Sequence, residues 1–137
     1  MNANKRYFTV QEAQNILPKT RKLVMELQEL QQALELLDTV EIEVDEDYAE
    51  NGQFVTQFNK SFHKLSYKFY DKLQQLEYSG VMLKDLEQGL VDFYARFEDR
   101  EIFLCWKLGE NRVIHWHEIE EGFLGRRKIM DLDMIKK

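Results

Sequence analysis

His115 and His117 stand two apart in a stretch rich in β-branched and aromatic residues. On a strand, positions i and i+2 share a face, so the two imidazoles can converge on one metal ion. Asp92 lies between Val91 and Phe93, in the middle of another strand-like run where a carboxylate is unusual. Glu110, Glu118, Glu120 and Glu121 offer further oxygen ligands. Two histidines and a carboxylate suit zinc, iron or manganese, so the metal candidates are His115, His117 and Asp92. An H-x-H pair is a weak signal by itself. An edge strand whose polar residues face water or pack on Trp106 reads the same way. The catalytic candidates are Asp92, His117 and Glu118. Asp92 as a general base would need a pKa raised by burial. As a structural group it would pair with Arg126 or Arg96 across a sheet.

Gly122-Phe123-Leu124-Gly125-Arg126-Arg127 is a glycine-flanked loop ending in two arginines. Its backbone N–H groups and Arg126 could hold a carboxylate or phosphate. It lacks the strand–loop–helix context of a phosphate loop, and the plainer reading is a turn whose Arg126 pairs with an internal acid. Lys84-Asp85 reads either as a functional pair or, preferred, as a bend at a strand end. Trp106 and Trp116 could floor a ligand pocket, though such residues more often fill a core. Cys105 falls inside an apolar run, which predicts a buried inert thiol rather than a nucleophile. His63 sits beside Phe62 on a helix and reads as a surface or seam-edge residue.

These residues need elements to position them. Thr9-Val10-Gln11-Glu12 is a capping box, with Phe8 and Ala13 as a weak staple, so a helix starts near Val10. Pro18 predicts a break after about Asn15 and a restart. Leu23, Leu27, Leu30, Leu34 and Leu37 then follow at heptad spacing. A second stripe runs Phe58, Phe62, Leu65, Phe69, Leu73 and Leu76, and Gly80 ends it. Between them Val40, Ile42 and Val44 alternate with acids, which suggests a short strand within an acidic loop closing at Asn51-Gly52.

After Gly80 the period changes to two. Strands are predicted at Val81–Asp85, Gly89–Ala95, Glu101–Lys107 and Arg112–His117, with Glu98-Asp99-Arg100 and Gly109-Glu110-Asn111 as turns. Short connections favour an antiparallel meander. Asp131–Ile135 reads as a short docking helix. The expected fold is α+β: a long antiparallel, heptad-like helical hairpin packed with a small antiparallel β-meander. We expect a single domain over 1–137, with a helical part at about 9–79, a β part at about 80–121 and a tail at 122–137.

The chain has 137 residues, long enough for one core and short of two. Hydrophobic residues make up 44% and charged residues 32%, which excludes a disordered chain. Lys and Arg number 19 against 25 Asp and Glu, a net charge of −6 that disfavours binding to a phosphate backbone. Arg126-Arg127-Lys128 is the one small basic patch set against that. A lone cysteine excludes an internal disulfide. No apolar run is long enough to span a membrane, and the first residues lack a secretory h-region, so a cytoplasmic protein is expected.

Gly80 with Lys84-Asp85, Gly89-Leu90-Val91-Asp92-Phe93, Leu104-Cys105-Trp106, Gly109-Glu110, Trp116-His117-Glu118 and Gly122-Phe123-x-Gly125-Arg126 occur in order. Together they resemble a family of small prokaryotic proteins catalogued as domain of unknown function two-two-zero-three. Tyr7-Phe8-Thr9, Glu12-Ala13 and Leu17-Pro18 resemble its N-terminal motif. The resemblance brings no activity, substrate or cofactor. It adds weight to Lys84, Asp85, Asp92, Trp106, Glu110, Trp116, His117, Glu118, Gly125 and Arg126. His115 departs from the pattern, since similar proteins more often carry an aromatic there, and that leaves His117 as the better single metal candidate.

Three functions are therefore ranked. The first is a non-enzymatic interaction module whose hairpin pairs with a second copy, as a homodimer, or with another protein. The second is a small-ligand or metal site on the sheet side, open to hydrolysis, around Asp92, His117 and Arg126. There Lys84, Asp85, Glu110, Trp106 and Trp116 would complete a ligand pocket. Nucleic-acid binding comes last. Enzyme and binding module both stay open.

Overall fold

A computed structural model describes residues 5–43 and 52–130, with side chains over 5–39 and 56–130. Helix α1 spans Val10–Glu43 and α2 spans Gly52–Tyr78. At 34 residues, α1 is about 50 Å long. The capping box forms reciprocally. The Thr9 N–H donates to Glu12 Oε1 at 2.9 Å, and the Glu12 N–H donates to Thr9 Oγ1 at 3.0 Å.

Helix α1 does not break at Pro18, contrary to the sequence expectation. Ala13, Leu17, Thr20, Val24 and Leu27 are all buried at spacings of four, three, four and three. That single stripe runs through the proline, and its burial on both sides outweighs one lost backbone hydrogen bond. Thr20 turns its hydroxyl back onto the Ile16 carbonyl at 3.0 Å, so this polar residue is satisfied inside the core. No strand forms at Val40–Glu43 either, because α1 continues through those residues. Val44 and the rest of the acidic stretch to 51 lie outside the described residues, as does the helix expected at Asp131–Ile135.

The two helices pack as a hairpin, with Phe69, Leu73 and Leu76 of α2 joining the same core as Leu23, Val24 and Leu27 of α1. Farther out, Leu30, Leu34 and Leu37, and Phe58 and Leu65 opposite, are only half-buried.

Five strands follow: β1 (Met82–Asp85), β2 (Leu90–Phe97), β3 (Arg100–Lys107), β4 (His115–Glu118) and β5 (Arg127–Lys128). They form one antiparallel sheet in the order β1-β2-β3-β4-β5. The fold is therefore α+β, with a fifth strand beyond the four predicted. Gly89 makes the β1–β2 corner at φ +69°, and a Cβ there would meet Leu108 at 2.6 Å. Only glycine fits that combination.

Alternation gives the sheet two faces. Val91, Phe93, Ala95, Ile102, Leu104, Trp106 and Trp116 belong to the core shared with α1 and α2. Helix α1 is also stitched to the sheet by polar side chains. Gln14 donates from Nε2 to the Val113 carbonyl at 3.0 Å and accepts from the Val113 N–H at 2.9 Å. Gln28 donates to the Leu86 carbonyl at 2.9 Å. Residues 112–114, predicted as strand, stay outside the ladder, and Gln14 satisfies the Val113 backbone instead. The first described residues add to the sheet edge: the Phe8 N–H donates to the Tyr94 carbonyl at 2.7 Å, and the Tyr7 hydroxyl donates to Glu101. Among the described residues no helix is long and apolar enough to cross a membrane.

Candidate functional site

The other face of the sheet carries the chemistry. Strands β2 and β3 are joined by a two-residue turn, Glu98-Asp99, so Phe97 pairs with Arg100 and Asp92 stands directly opposite Cys105. Cys105 in turn stands opposite His115, and Phe103 opposite His117. Asp92, Cys105, His115 and His117 therefore share the face turned away from the shared core. That face is usually left to solvent, yet Asp92 is 2% exposed, Cys105 0% and His117 3%.

Three of these side chains converge. The ligating atoms of Asp92, Cys105 and His117 all lie within 4.8 Å of one another. His117 Nε2 is 3.2 Å from Oδ1 and 3.2 Å from Oδ2 of Asp92. Its Nδ1 is 2.8 Å from the Glu118 carbonyl oxygen. A carbonyl only accepts, so Nδ1 carries the proton and donates. That leaves Nε2 facing a carboxylate. Either the ring is an imidazolium paired with Asp92, or its lone pair points at a site meant for a cation. Burial works against the imidazolium, but the Asp92 and Glu118 hydrogen bonds outweigh it and hold the His117 pKa above the usual 6.5.

Lys84 approaches Asp92 Oδ2 at 3.7 Å and lies over the Phe103 ring at 4.5 Å. The Cys105 thiol is pushed up to about 12, first by burial and then by the Asp92 charge. It is therefore no ready nucleophile in this state. Nδ1 of His117 is held by the Glu118 carbonyl and Nε2 is aimed at Asp92, so the ring is not placed as the base of a Cys–His pair.

A second cluster adjoins the first. Arg126 donates from Nη2 to Glu110 Oε1 at 2.7 Å and toward the Cys105 carbonyl at 3.5 Å. Glu110 Oε1 also accepts the Lys107 N–H at 2.9 Å. Burial raises the Glu110 pKa, but Arg126 and the Lys107 N–H outweigh it and hold the carboxyl below its usual range. His115 belongs here: its Nδ1 is 3.6 Å from Glu110 Oε2. Burial and then the Arg126 charge lower the His115 pKa. The two histidines thus do not converge on one point, and Cys105 stands where His115 was expected.

The remaining candidates separate. Asp92 pairs with Lys84 and His117 rather than with Arg126 or Arg96; Arg96 instead lies over the Tyr7 ring at 4.1 Å. The Glu118 side chain binds Arg100 at 2.7 Å, and only its backbone reaches His117. Glu121 holds Arg127 at 3.0 Å, and Glu120 is exposed. Asp85 accepts the Gln88 N–H at 3.1 Å and so shapes the turn after β1. Trp106 is fully buried on the helix-facing side, where its indole N–H donates to the Glu110 carbonyl at 2.8 Å. Trp116 belongs to the same core. His63 is exposed on α2 against Phe62.

Cys105 is the member that reading the residue types missed. The signal for it was the turn: a two-residue loop centred on Glu98-Asp99 places Cys105 opposite Asp92.

No curated protein and no solved structure matches the chain. A family model described as "Uncharacterized conserved protein (DUF2203)" matches residues 6–129, and the chain belongs to that family.

Proposed function

We propose that the chain binds one divalent transition-metal ion, zinc above the others, through Asp92, Cys105 and His117. The observation that carries this reading is the aim of His117. Its Nδ1 is tied to a backbone carbonyl, which is how metal-ligating histidines are oriented, and its Nε2 points at an acid and a thiol. Two nitrogen or oxygen ligands at about 2.0–2.1 Å on a tetrahedral ion lie about 3.3 Å apart. The Nε2 to Asp92 distances of 3.2 Å match that edge. They exceed the roughly 2.7–2.9 Å of a charge-assisted hydrogen bond. A thiolate, an imidazole and a carboxylate suit zinc. Three protein ligands leave a fourth position, where an ion of this kind activates water. Burial limits any ligand there to a small one. A thiolate ligand fits a reducing, cytoplasmic setting.

The test is a titration of metal-free protein with cobalt(II). We expect one equivalent to bind with a thiolate-to-metal charge-transfer band, lost in Cys105→Ser and His117→Ala and kept in His63→Ala. Absence of that band in the unaltered chain ends the proposal.

A second reading, self-association through the hairpin, rests on a different observation. Tyr67, Tyr70 and Tyr78 are 74%, 66% and 82% exposed on α2, and on outer α1 Leu30, Leu34 and Leu37 are half-buried and Leu36 is exposed. A four-helix, coiled-coil-like homodimer would cover both. Native mass measured across a concentration series tests it: a monomer throughout removes this reading and leaves the metal site untouched.

A further inference from the structure

Beside the proposed metal site lie two buried polar atoms that make no hydrogen bond. Arg126 Nε has no hydrogen-bond partner among the described residues, and His115 Nδ1 has only the ion-pair contact with Glu110 Oε2 at 3.6 Å, too long for a hydrogen bond. Buried polar atoms are seldom left so, and the guanidinium is the costlier of the two. Arg126 Nε–H can only donate, so what it lacks is an acceptor. His115 faces the other oxygen of the carboxylate that Arg126 binds, so its ring lies beside the same guanidinium.

The surroundings favour an acceptor with negative charge. Lys128 stands opposite His115 in the β4–β5 pairing, on the same face. Lys107 and Arg126 both lie over the Phe123 ring, at 5.3 and 4.6 Å. Against these three cations the cluster sets one acid, Glu110. Its Oε1 is occupied by Arg126 Nη2 and by the Lys107 N–H. That bond also fixes the guanidinium plane, so the Nε edge is held ready for a second oxyanion.

We infer that Arg126, His115 and Lys128 form a binding site for a small oxyanion, a carboxylate or a phosphoryl group, held by the free Nε edge of Arg126. The ring of Phe123 forms one wall of that site. The inference does not require a metal, since none of the three residues belongs to the Asp92–Cys105–His117 set.

The experiment uses the full chain, freed of metal by a chelator, in chloride buffer. Inorganic phosphate and acetate are titrated separately, and the Arg126 Nε–H resonance is followed by NMR. We expect one-to-one saturation by at least one of the two anions. The tighter of them tells a phosphoryl from a carboxylate ligand. Arg126→Lys keeps a cation for Glu110 but removes the Nε–H, and should weaken binding at least tenfold. His115→Phe and Lys128→Gln should each weaken it several-fold. The titration is made on metal-free protein and His63→Ala should leave it unchanged, so failure of the metal site and failure of this one are read apart. If the Arg126 Nε–H resonance fails to shift with either anion, or Arg126→Lys binds as well as the unaltered chain, the inference is overturned.

Discussion

His117 holds Asp92 symmetrically, with Nε2 at 3.2 Å from each carboxylate oxygen, and both residues are almost wholly buried. The pair sits on the sheet face turned away from the shared core, where nothing in the packing requires a charge. Removing one partner strands the other. His117→Ala should cost about 3–5 kcal/mol, because among the described residues Asp92 then keeps Lys84 as its one ion-pair partner. Urea unfolding of the metal-free protein measures it. A loss under 1 kcal/mol would mean that the pair carries no buried charge.

Metal affinity should rise with pH. The Cys105 thiol, pushed up to about 12, and the His117 ring, held above 6.5, give up protons to a metal. Each proton released steepens the dependence by about tenfold per pH unit. Competition against a chromogenic chelator at two pH values one unit apart checks this. A flat profile would exclude Cys105 from the ligand set.

Acid should loosen the Glu110–Arg126 corner. The folded pKa of Glu110 is held below the ordinary 4.5, so its contribution is present above 4.5 and lost as pH falls through the folded value. Glu110→Gln should flatten the stability profile in that window and leave it unchanged in shape near neutrality. Thermal unfolding across the acid range reads the difference.

The hairpin turn should tolerate improvement. Glu98 and Asp99 both adopt left-handed conformations, at φ 52° and 64°, which cost side-chain-bearing residues roughly 1–2 kcal/mol each. Glu98→Asn with Asp99→Gly supplies residues suited to such a turn. The double variant should gain about 1 kcal/mol, or roughly 3–5 °C in Tm. The exposed Glu98–Arg100 pair that it gives up is worth little.

The same turn explains what the sequence concealed. Glu-Asp is not a residue pair that announces a two-residue turn, and including Arg100 makes the loop three residues long. That slips the register by one and sends Cys105 to the opposite face from Asp92. The strands themselves were legible, because their β-branched and aromatic runs are unmistakable. So were the α1 cap at Thr9 and Glu12 and the apolar stripe of α2. The course of α1 through Pro18 was not legible, because the stripe that carries it includes Thr20, which reads as polar until its hydroxyl is seen bonded to Ile16. Strand β5 has two residues, too few for any periodicity. Asp92 and His117 could be singled out by type, but the distance between them depends on three strands in register.

Gln14 holds both backbone groups of Val113 across 99 residues of sequence. The chain that leads into β4 is thus clasped by the second turn of α1. During synthesis the helices and the first three strands emerge first, and this clasp cannot close until Val113 follows. His115 and His117 come later still, so the candidate site cannot close before they emerge. Amide exchange at Val113 would then report whether the N-terminal turns of α1 and the histidine strand open together or apart.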